Sequence, residues 1–230
     1  MLRVLTAGES HGRALVGIIE GCPANFEVNI EEVNKDLVRR QRGYGRGDRM
    51  KIETDRIEIL SGVRGGKTLG SPIAFLIKNK DYENWERFMN PVEIDISGRI
   101  VTEARPGHAD LPGAVKYNFN DIRNVLERSS ARETAVRVAA GSILNQMMGS
   151  FNIGVFSHFT AIGGIGLDEN ITDINLIKNA DMSEVRCIQK EKEALMIEEI
   201  NEAKKQGESL GGIFDIHIVG VPVGLGSYVH

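Results

Sequence analysis

The sequence predicts an α+β fold, because its strand and helix patterns do not alternate regularly along the chain. Two strand patterns, Arg3 to Ala7 and Ala14 to Glu20, come first and are separated by a short glycine-containing connection, which predicts a β-hairpin. The longest helical pattern comes much later, from Asp121 to Met148. The length of 230 residues allows one large domain or two small ones, and we expect a single domain over residues 1–230.

The elements that follow the hairpin are predicted from capping signals and apolar patterns. Asn29 stands where a helix N-cap is expected, with Glu32 three residues later, which predicts a helix from about Ile30 to Arg40. The segments Ile57 to Leu60 and Ile73 to Ile77 have the composition of strands.

The middle of the chain is predicted to hold a long irregular loop and then a pair of helices. Lys80 to Pro112 has little periodicity, and so long a loop in a compact protein is more often functional than idle. The pattern Asp121 to Met148 contains the capping box S-x-x-E at Ser130, so we predict two helices that meet at Ser129 and Ser130. The remaining predicted elements are a strand from Ile153 to Ile162, a helix from Lys190 to Gln206 ended by Gly207, and a half-buried strand from Gly212 to Val221.

Composition and charge point to a cytoplasmic protein with an anionic ligand. The net charge of −4 disfavours a general nucleic-acid binder, and no apolar run suits export or a membrane span. Cys22 and Cys187 are far apart, which fits a reducing compartment. Of 17 arginines, 16 lie at or before Arg137. Because arginine grips phosphate and carboxylate groups with two parallel hydrogen bonds, this concentration predicts a local anion site.

The stretch TAGESHG, from Thr6 to Gly12, carries serine, histidine and glutamate side by side. Ser10 and His11 are poor candidates for a nucleophile and its base, since neighbours in an extended chain point to opposite faces. His11, His108 and Asp110 could supply three metal ligands, but their spacing matches no metal motif, and we predict no metal. A surface histidine in a tight turn is the simplest interpretation for one such loop. A second histidine in a glycine- and arginine-containing loop, His108, favours a pair of acids.

The segment SGVRGGKT, from Ser61 to Thr68, nearly matches the phosphate loop G-x-x-x-x-G-K-[ST]. Its first position is serine, and Gly70-Ser71-Pro72 follows where a phosphate loop would open into a helix. We therefore predict a glycine-rich turn between two strands and reject a nucleoside triphosphatase.

Two further features fit an anion site, each with a plainer alternative. Five arginines from Arg39 to Arg49 lie within eleven residues, which could also form a solvated basic face or an RNA-binding segment. The helix restart at Ser129 and Ser130, flanked by Arg128 and Arg132, could bind phosphate at a helix N-terminus. Helix capping alone would explain both serines equally well.

Taken together, these motifs resemble the chorismate synthase family, in order and over essentially the whole chain. The matching segments are AGESHG at Ala7 to Gly12, IIEGCPA at Ile18 to Ala24, RRQRGYGRGDRMKIE at Arg39 to Glu53, SGVRGGKTLGSPIA at Ser61 to Ala74, RPGHADLPGAVKY at Arg105 to Tyr117, RNVLERSSARETAVRVAAG at Arg123 to Gly141 and GGIFDIHIVGVPVGLGS at Gly211 to Ser227. The resemblance implies a layered β-α-β sandwich of mostly antiparallel strands around a central helical layer. The family continues past VPVGLGS, so we expect an N-terminal portion that is incomplete at the C-terminus.

The resemblance also implies a reaction and its cofactor. The family converts 5-enolpyruvylshikimate 3-phosphate into chorismate and phosphate by a 1,4-trans elimination that requires reduced FMN, in the shikimate pathway of aromatic amino acid biosynthesis. NADPH would serve only to reduce the flavin. The substrate bears a phosphate and two carboxylates, which gives the arginine excess a purpose. A cytoplasmic homotetramer is implied for the full-length protein, with no nucleic-acid or membrane partner.

The resemblance assigns site residues by matching positions. His11 and His108 are the two site histidines, and we assign His11 to the leaving phosphate and His108 to the flavin. The expected substrate-binding residues are Ser10, Arg40, Arg46, Arg49, Arg105 and Arg132. The expected cofactor-binding residues are Arg128, Ser129 and Ser130. The competing hypotheses are a non-catalytic anion- or RNA-binding protein and an inactive fragment.

Overall fold

The computed structural model describes residues 1–47, 52–93 and 99–226. The chain divides into two compact units, the first formed by Met1–Arg40 and Asp48–Leu144 and the second by Gln41–Gly47 and Asn145–His230. The single domain expected over residues 1–230 stays a prediction.

The first unit is built on antiparallel strands. Its strands are β1 (Arg3–Ala7), β2 (Ala14–Glu20), β3 (Ala24–Glu27), β4 (Ile57–Ser61), β5 (Val63–Arg64), β6 (Lys67–Leu69) and β7 (Ile73–Lys78). A four-stranded sheet has the order β1-β2-β7-β4, and a small three-stranded sheet has the order β3-β6-β5. The β1–β2 hairpin is confirmed, with Arg3 opposite Glu20 and Ala7 opposite Val16.

Helices cover one face of the four-stranded sheet. The helices in chain order are α1 (Ile30–Gln41), α2 (Glu86–Met89), α3 (Asp110–Tyr117), α4 (Arg123–Ser129) and α5 (Thr134–Gly149), with 3₁₀ turns at Lys80–Asn84 and Ala131–Glu133. Leu15 and Phe75 of the sheet pack in one fully buried cluster with Leu37 of α1 and with Ala139 and Ile143 of α5. Burial of each large apolar side chain contributes roughly 1.5–3 kcal/mol, so this cluster fixes the hairpin against the helices.

Most of the predicted elements are confirmed, with small changes at their ends. Asn29 caps α1, since its Oδ1 accepts from the backbone N–H groups of Glu31 and Glu32. The helix restart is also present, and Ser130 Oγ accepts from the backbone N–H of Arg132 at 3.3 Å. The capping box does not close as predicted, because the Glu133 carboxylate accepts from Thr6 and Arg137 instead.

Two predictions about loops are correct only in part. The glycine-rich turn is confirmed at Gly65 and Gly66, which have φ values of +56° and +76° and join β5 to β6, but the predicted turn from Ser61 to Thr68 also contains β5 and the start of β6. Glycine adopts this region with less strain than other residues, which fits a tight hairpin turn. The prediction that Lys80 to Pro112 is irregular is wrong in part, because it contains the 3₁₀ turn, α2 and the first turn of α3. These elements are too short for a 3.6-residue period to show in sequence.

The second unit is a three-stranded antiparallel sheet with helices. Its elements are β8 (Gly154–Ile162), β9 (Ile165–Gly166), α6 (Ile174–Ile177), a 3₁₀ turn at Lys178–Met182, α7 (Lys190–Gln206) and β10 (Gly212–Val219). The strand order is β10-β8-β9. Val185, Cys187 and Met196 form its small core, and Gly207 ends α7 in the left-handed conformation as predicted.

Candidate active site around His11

The connection between β1 and β2 carries His11 and is fixed by backbone contacts. Gly8 has a φ of +104°, and a Cβ there would lie 2.4 Å from the carbonyl oxygen of Ala14. Only glycine therefore lets the chain turn at this point. The loop is also tied from outside, because Asn79 Nδ2 donates to the carbonyl oxygens of Glu9 at 3.1 Å and Gly12 at 2.7 Å.

Glu127 of α4 holds His11 at two points. The backbone N–H of His11 donates to Glu127 Oε2 at 2.9 Å, and the ring Nδ1 lies 2.9 Å from both carboxylate oxygens. Ser10 is tied to the same residue, since its backbone N–H donates to the Glu127 carbonyl at 2.8 Å. A carboxylate at Nδ1 assigns the proton of the imidazole to that nitrogen. Nε2 is then the atom that can exchange a proton, and it lies 3.7 Å from Asp81 Oδ2.

Glu127 is a buried carboxylate whose charge is compensated. Only 2 % of its side chain is exposed. Burial alone would raise its pKa, but hydrogen bonds from His11 and from Arg123 outweigh burial and hold the pKa of Glu127 below its ordinary value. Arg123 Nη1 donates to Glu127 Oε1 at 3.1 Å. The residue is therefore ionised at neutral pH and can stabilise a positive charge on His11.

An aromatic and cationic wall lies beside the histidine. The His11 ring stacks on Trp85 with centroids 4.0 Å apart and planes at 27°. The guanidinium carbons of Arg99 and Arg123 lie 4.2 and 5.0 Å from the Trp85 ring centroid. Cations are attracted to the face of an aromatic ring, so Trp85 favours the position of these two arginines near His11.

Arg132, expected at the substrate, lies in a buried ionic cluster. Its side chain is 1 % exposed, and Nη1 donates to Asp55 Oδ1 at 2.5 Å. Its Nη2 lies 3.6 Å from Glu53 Oε2, and its Nε donates to Asn79 Oδ1 at 2.8 Å. Because Asn79 also binds the His11 loop, Arg132 supports that loop from behind. In this arrangement its donors serve the protein interior, and its direct contact with substrate stays a prediction.

Arg40, the next expected substrate residue, joins the same cluster. Its Nη1 lies 3.4 Å from Asp55 Oδ2, and its Nη2 and Nε donate to the Ala131 carbonyl and Thr134 Oγ1, each at 3.0 Å. Its side chain is 7 % exposed. The structure thus brings Arg40 and Arg132 together on one carboxylate.

Arg128 and the two serines expected to bind the cofactor lie at the junction of α4 and α5. Arg128 Nη2 donates to the carbonyl oxygen of Thr6 at 2.9 Å and to Thr6 Oγ1 at 2.7 Å, while 41 % of its side chain remains exposed. Ser129 is exposed, and Ser130 caps the following turn. An exposed cation and an exposed hydroxyl therefore remain for a ligand at this junction.

The loop that carries His108 is exposed and leads into α3. The His108 backbone N–H donates to the Arg105 carbonyl at 3.3 Å. Arg105 binds Asp110 through Nε at 2.8 Å and Nη2 at 3.0 Å, with 47 % of its side chain exposed. Helix α3 packs on α4, where Val125 lies directly against Gly113. His108 therefore lies just before α3, His11 is bound by Glu127 of α4, and these two helices are adjacent.

The two other arginines predicted to bind the substrate are Arg46 and Arg49. Arg46 belongs to the second unit, where its Nε donates to the Arg42 carbonyl at 2.9 Å. Arg49 lies outside the described residues.

Sequence reasoning missed Glu127, Trp85 and Asn79. Arg123 and Glu127 have the i,i+4 spacing of a helix pair, so an ion pair between them could have been found. The contact of Glu127 with His11 joins residues 116 positions apart and leaves no local signal.

These features define an α+β protein whose first unit presents a carboxylate-bound histidine beside arginines. The Chorismate synthase family profile matches residues 2–230, and the chain belongs to the chorismate synthase family. It is 67% identical to the chorismate synthase of Alkaliphilus metalliredigens, over all of this chain and 60% of that protein. It is 50% identical to the chorismate synthase of Caldicellulosiruptor saccharolyticus, over all of this chain and 61% of that protein.

A solved structure confirms the predicted fold class. It is described as a crystal structure of chorismate synthase and superposes with a TM-score of 0.77 at 41% identity, over 96% of this chain and 59% of that one. The chain thus spans about three fifths of the length of these relatives. Among the described residues, no helix combines the length and the apolar character needed to cross a membrane.

Proposed function

We propose that this chain provides the N-terminal part of a chorismate synthase active site. The reaction is the 1,4-trans elimination of phosphate from 5-enolpyruvylshikimate 3-phosphate, which makes the protein a carbon–oxygen lyase. The observation that carries the proposal is the 67% identity to a chorismate synthase over all of this chain. The geometry of His11 supports it, since the residue is built as a proton donor.

His11 would protonate the phosphate as its bond to the ring carbon breaks. An acid of this kind must be held in position and must keep its proton until the leaving group develops charge. The Glu127 carboxylate meets the first need, because it binds both the backbone N–H and the ring Nδ1 of His11. The proton would leave from Nε2, and the substrate would lose a proton from carbon in the same overall reaction, so no net oxidation occurs.

The anionic substrate requires cations that a ligand can reach. Arg105 and Arg128 keep 47 % and 41 % of their side chains exposed, in contrast to Arg40 and Arg132. We assign direct contact with anions to these two exposed arginines. Arg40 and Arg132, which are predicted to bind the substrate, would also hold the His11 loop and the start of α5 in place through the cluster with Asp55.

Reduced FMN is the cofactor that this function requires, and the residues at the α4–α5 junction fit its phosphate. Arg128 offers a partly exposed guanidinium and Ser129 an exposed hydroxyl. The flavin would supply electron density that assists loss of the allylic phosphate. His108, exposed in its loop, would hold the proton that the reduced flavin needs. NADPH would act only as a reductant of the flavin.

The proposal also covers the pathway, the compartment, the assembly and the partner of the protein. We assign the protein to aromatic amino acid biosynthesis in the cytoplasm, with a homotetramer as the full-length assembly. Its partner would be the small anionic substrate, without nucleic acid or membrane.

The test measures chorismate formation by two proteins. One is the chain itself, and the other is the chain joined to the remaining segment of the Alkaliphilus metalliredigens relative. Each receives FMN, dithionite and the enolpyruvyl substrate without oxygen. We expect product from the joined protein, and a marked loss of turnover with an intact fold in its His11→Ala and His108→Ala variants. No chorismate from either protein, or salt-sensitive RNA binding without flavin binding, would refute the proposal.

A further inference from the structure

Three side chains with metal-binding groups share one face of the sheet in the second unit. His158 of β8 lies directly opposite Asp215 of β10 in the antiparallel register. His217 follows Asp215 by two residues, and a period of two places both on the same face of the strand. The rings of His158 and His217 are stacked with centroids 5.4 Å apart and planes at 22°. The register of two strands thus brings two imidazoles and a carboxylate together.

Three of the four ring nitrogens of these two histidines are buried without a hydrogen-bond partner among the described residues. His158 is fully buried, and within the described part of the chain neither of its ring nitrogens has a partner. The buried Nε2 of His217 is in the same condition. Leaving a buried polar group unsatisfied costs about 1–3 kcal/mol, so three such atoms on two adjacent rings need an explanation. A metal ion bound to one nitrogen of each ring would provide a partner for one of the two His158 atoms and for His217 Nε2, because a neutral imidazole has a single lone pair.

Two cations near the group are engaged by other partners. Arg186 is engaged by Asp181 and by the carbonyl oxygen of Ser157. Lys178 of the adjacent 3₁₀ turn lies over the ring of Phe156, which is opposite His217.

We propose that His158, Asp215 and His217 form a binding site for a divalent transition-metal ion of the zinc type. One ligand atom from each residue lies within 4.8 Å of the other two. Bonds to zinc of about 2.0–2.2 Å would draw these atoms closer by rotation of the side chains. Two imidazoles and one carboxylate suit zinc, whereas calcium and magnesium prefer oxygen ligands alone. Water would complete the tetrahedron, and the ion would cross-link β8 and β10.

The proposal does not depend on the function proposed above, since all three ligands belong to the second unit. Its test uses the intact chain, stripped of metal with a chelator and titrated with zinc chloride in a calorimeter. We expect one ion per chain and a higher melting temperature, because a ligand that binds the folded state stabilises it. Cobalt(II) in place of zinc is expected to give the visible absorption of a tetrahedral site.

The variants Asp215→Asn and His217→Val identify the ligands. Both positions are half-buried, so each variant is expected to keep the far-ultraviolet circular dichroism of the parent. Each should bind zinc at least about 100-fold more weakly, beyond the 10- to 100-fold typical for loss of an outer partner. His108→Ala, which removes an exposed histidine from the first unit, is the matched control and should bind as the parent does. No binding by the parent, or parental affinity in both ligand variants, would overturn the site.

Discussion

The Glu127 carboxylate binds both the backbone N–H and the ring of His11. The backbone N–H donates to Oε2 at 2.9 Å, and Nδ1 lies 2.9 Å from each carboxylate oxygen. One side chain therefore fixes the loop and the orientation of the imidazole together. With Nδ1 bound to the carboxylate, Nε2 is the ring nitrogen that can exchange a proton, which a free histidine in a turn would not guarantee.

We predict that Glu127→Gln impairs the proposed proton transfer by His11 while leaving the fold intact. The amide has the size of the carboxylate but lacks its charge, so it binds the Nδ1 proton of His11 less strongly. In the joined protein described above, kcat should fall about 100-fold with a much smaller change in KM. Nitrogen chemical shifts of the His11 ring should show a loss of the uniform Nδ1–H form. Glu202→Gln, on the exposed face of α7, is the control and should change neither reading.

A parental His11 spectrum together with parental kcat in Glu127→Gln would contradict this role. A fall in kcat with a parental His11 spectrum would assign Glu127 a different part in the reaction.

The elements that could be predicted from the sequence depend on local signals. The hairpin connection, the Asn29 cap and the helix restart at Ser130 each follow from residues a few positions apart. The end of α7 at Gly207 is of the same kind. Short helices such as α2 escaped prediction because four residues are about one helical turn, which is too short for a periodic pattern.

The site could be predicted only as a set of residue types. His11 was found from its motif, but its partner Glu127 is 116 positions away and Asn79 is 67 positions from Gly12. Arg132 is a different case. An arginine is evident in the sequence, but the sequence does not show whether its side chain faces a ligand or the protein interior. The buried carboxylates Glu53 and Asp55 draw it inward, and neither forms a pattern with it along the chain.

We predict that Asp55→Ala strongly destabilises the first unit. Asp55 is fully buried and binds both Arg132 and Arg40, so its removal leaves two cations without their shared carboxylate. Breaking a buried ion pair on one side typically costs about 3–5 kcal/mol. Urea unfolding at neutral pH would measure the change. Lys35→Ala, which breaks an exposed pair with Glu32 on α1, should leave the midpoint nearly unchanged. Equal midpoints for both variants would show that the buried cluster is not structural.

We predict opposite effects of alanine at two glycines of the first unit. Gly8→Ala places a Cβ 2.4 Å from the Ala14 carbonyl oxygen at a φ of +104°, and it should cost about 2 kcal/mol or more. Gly141→Ala lies in the interior of α5 with open space around it, so it should stabilise by about 0.5–1 kcal/mol through helix propensity. Thermal unfolding of the two variants beside the parent would measure both changes. A neutral Gly8→Ala would mean that the His11 loop can adopt another backbone path.

The ion pair between Asp110 and Arg105 predicts a contribution to stability that depends on pH. The side-chain hydrogen bonds from Arg105 lower the pKa of Asp110 from 3.8 to about 2, against the opposing effect of burial, and the Arg105 backbone N–H adds to the lowering. Because the folded pKa lies below the unfolded one, the contribution is complete above about pH 5 and is lost as the pH falls toward 2. Asp110→Asn removes it. The stability difference between parent and variant, measured by urea unfolding over a pH series, should therefore be constant from neutral pH down to about pH 5 and then shrink. Glu58→Gln, which removes an exposed carboxylate of β4, is the matched control. A difference that stays constant between about pH 5 and pH 2.5 would show that Asp110 does not titrate with a lowered pKa in the folded chain.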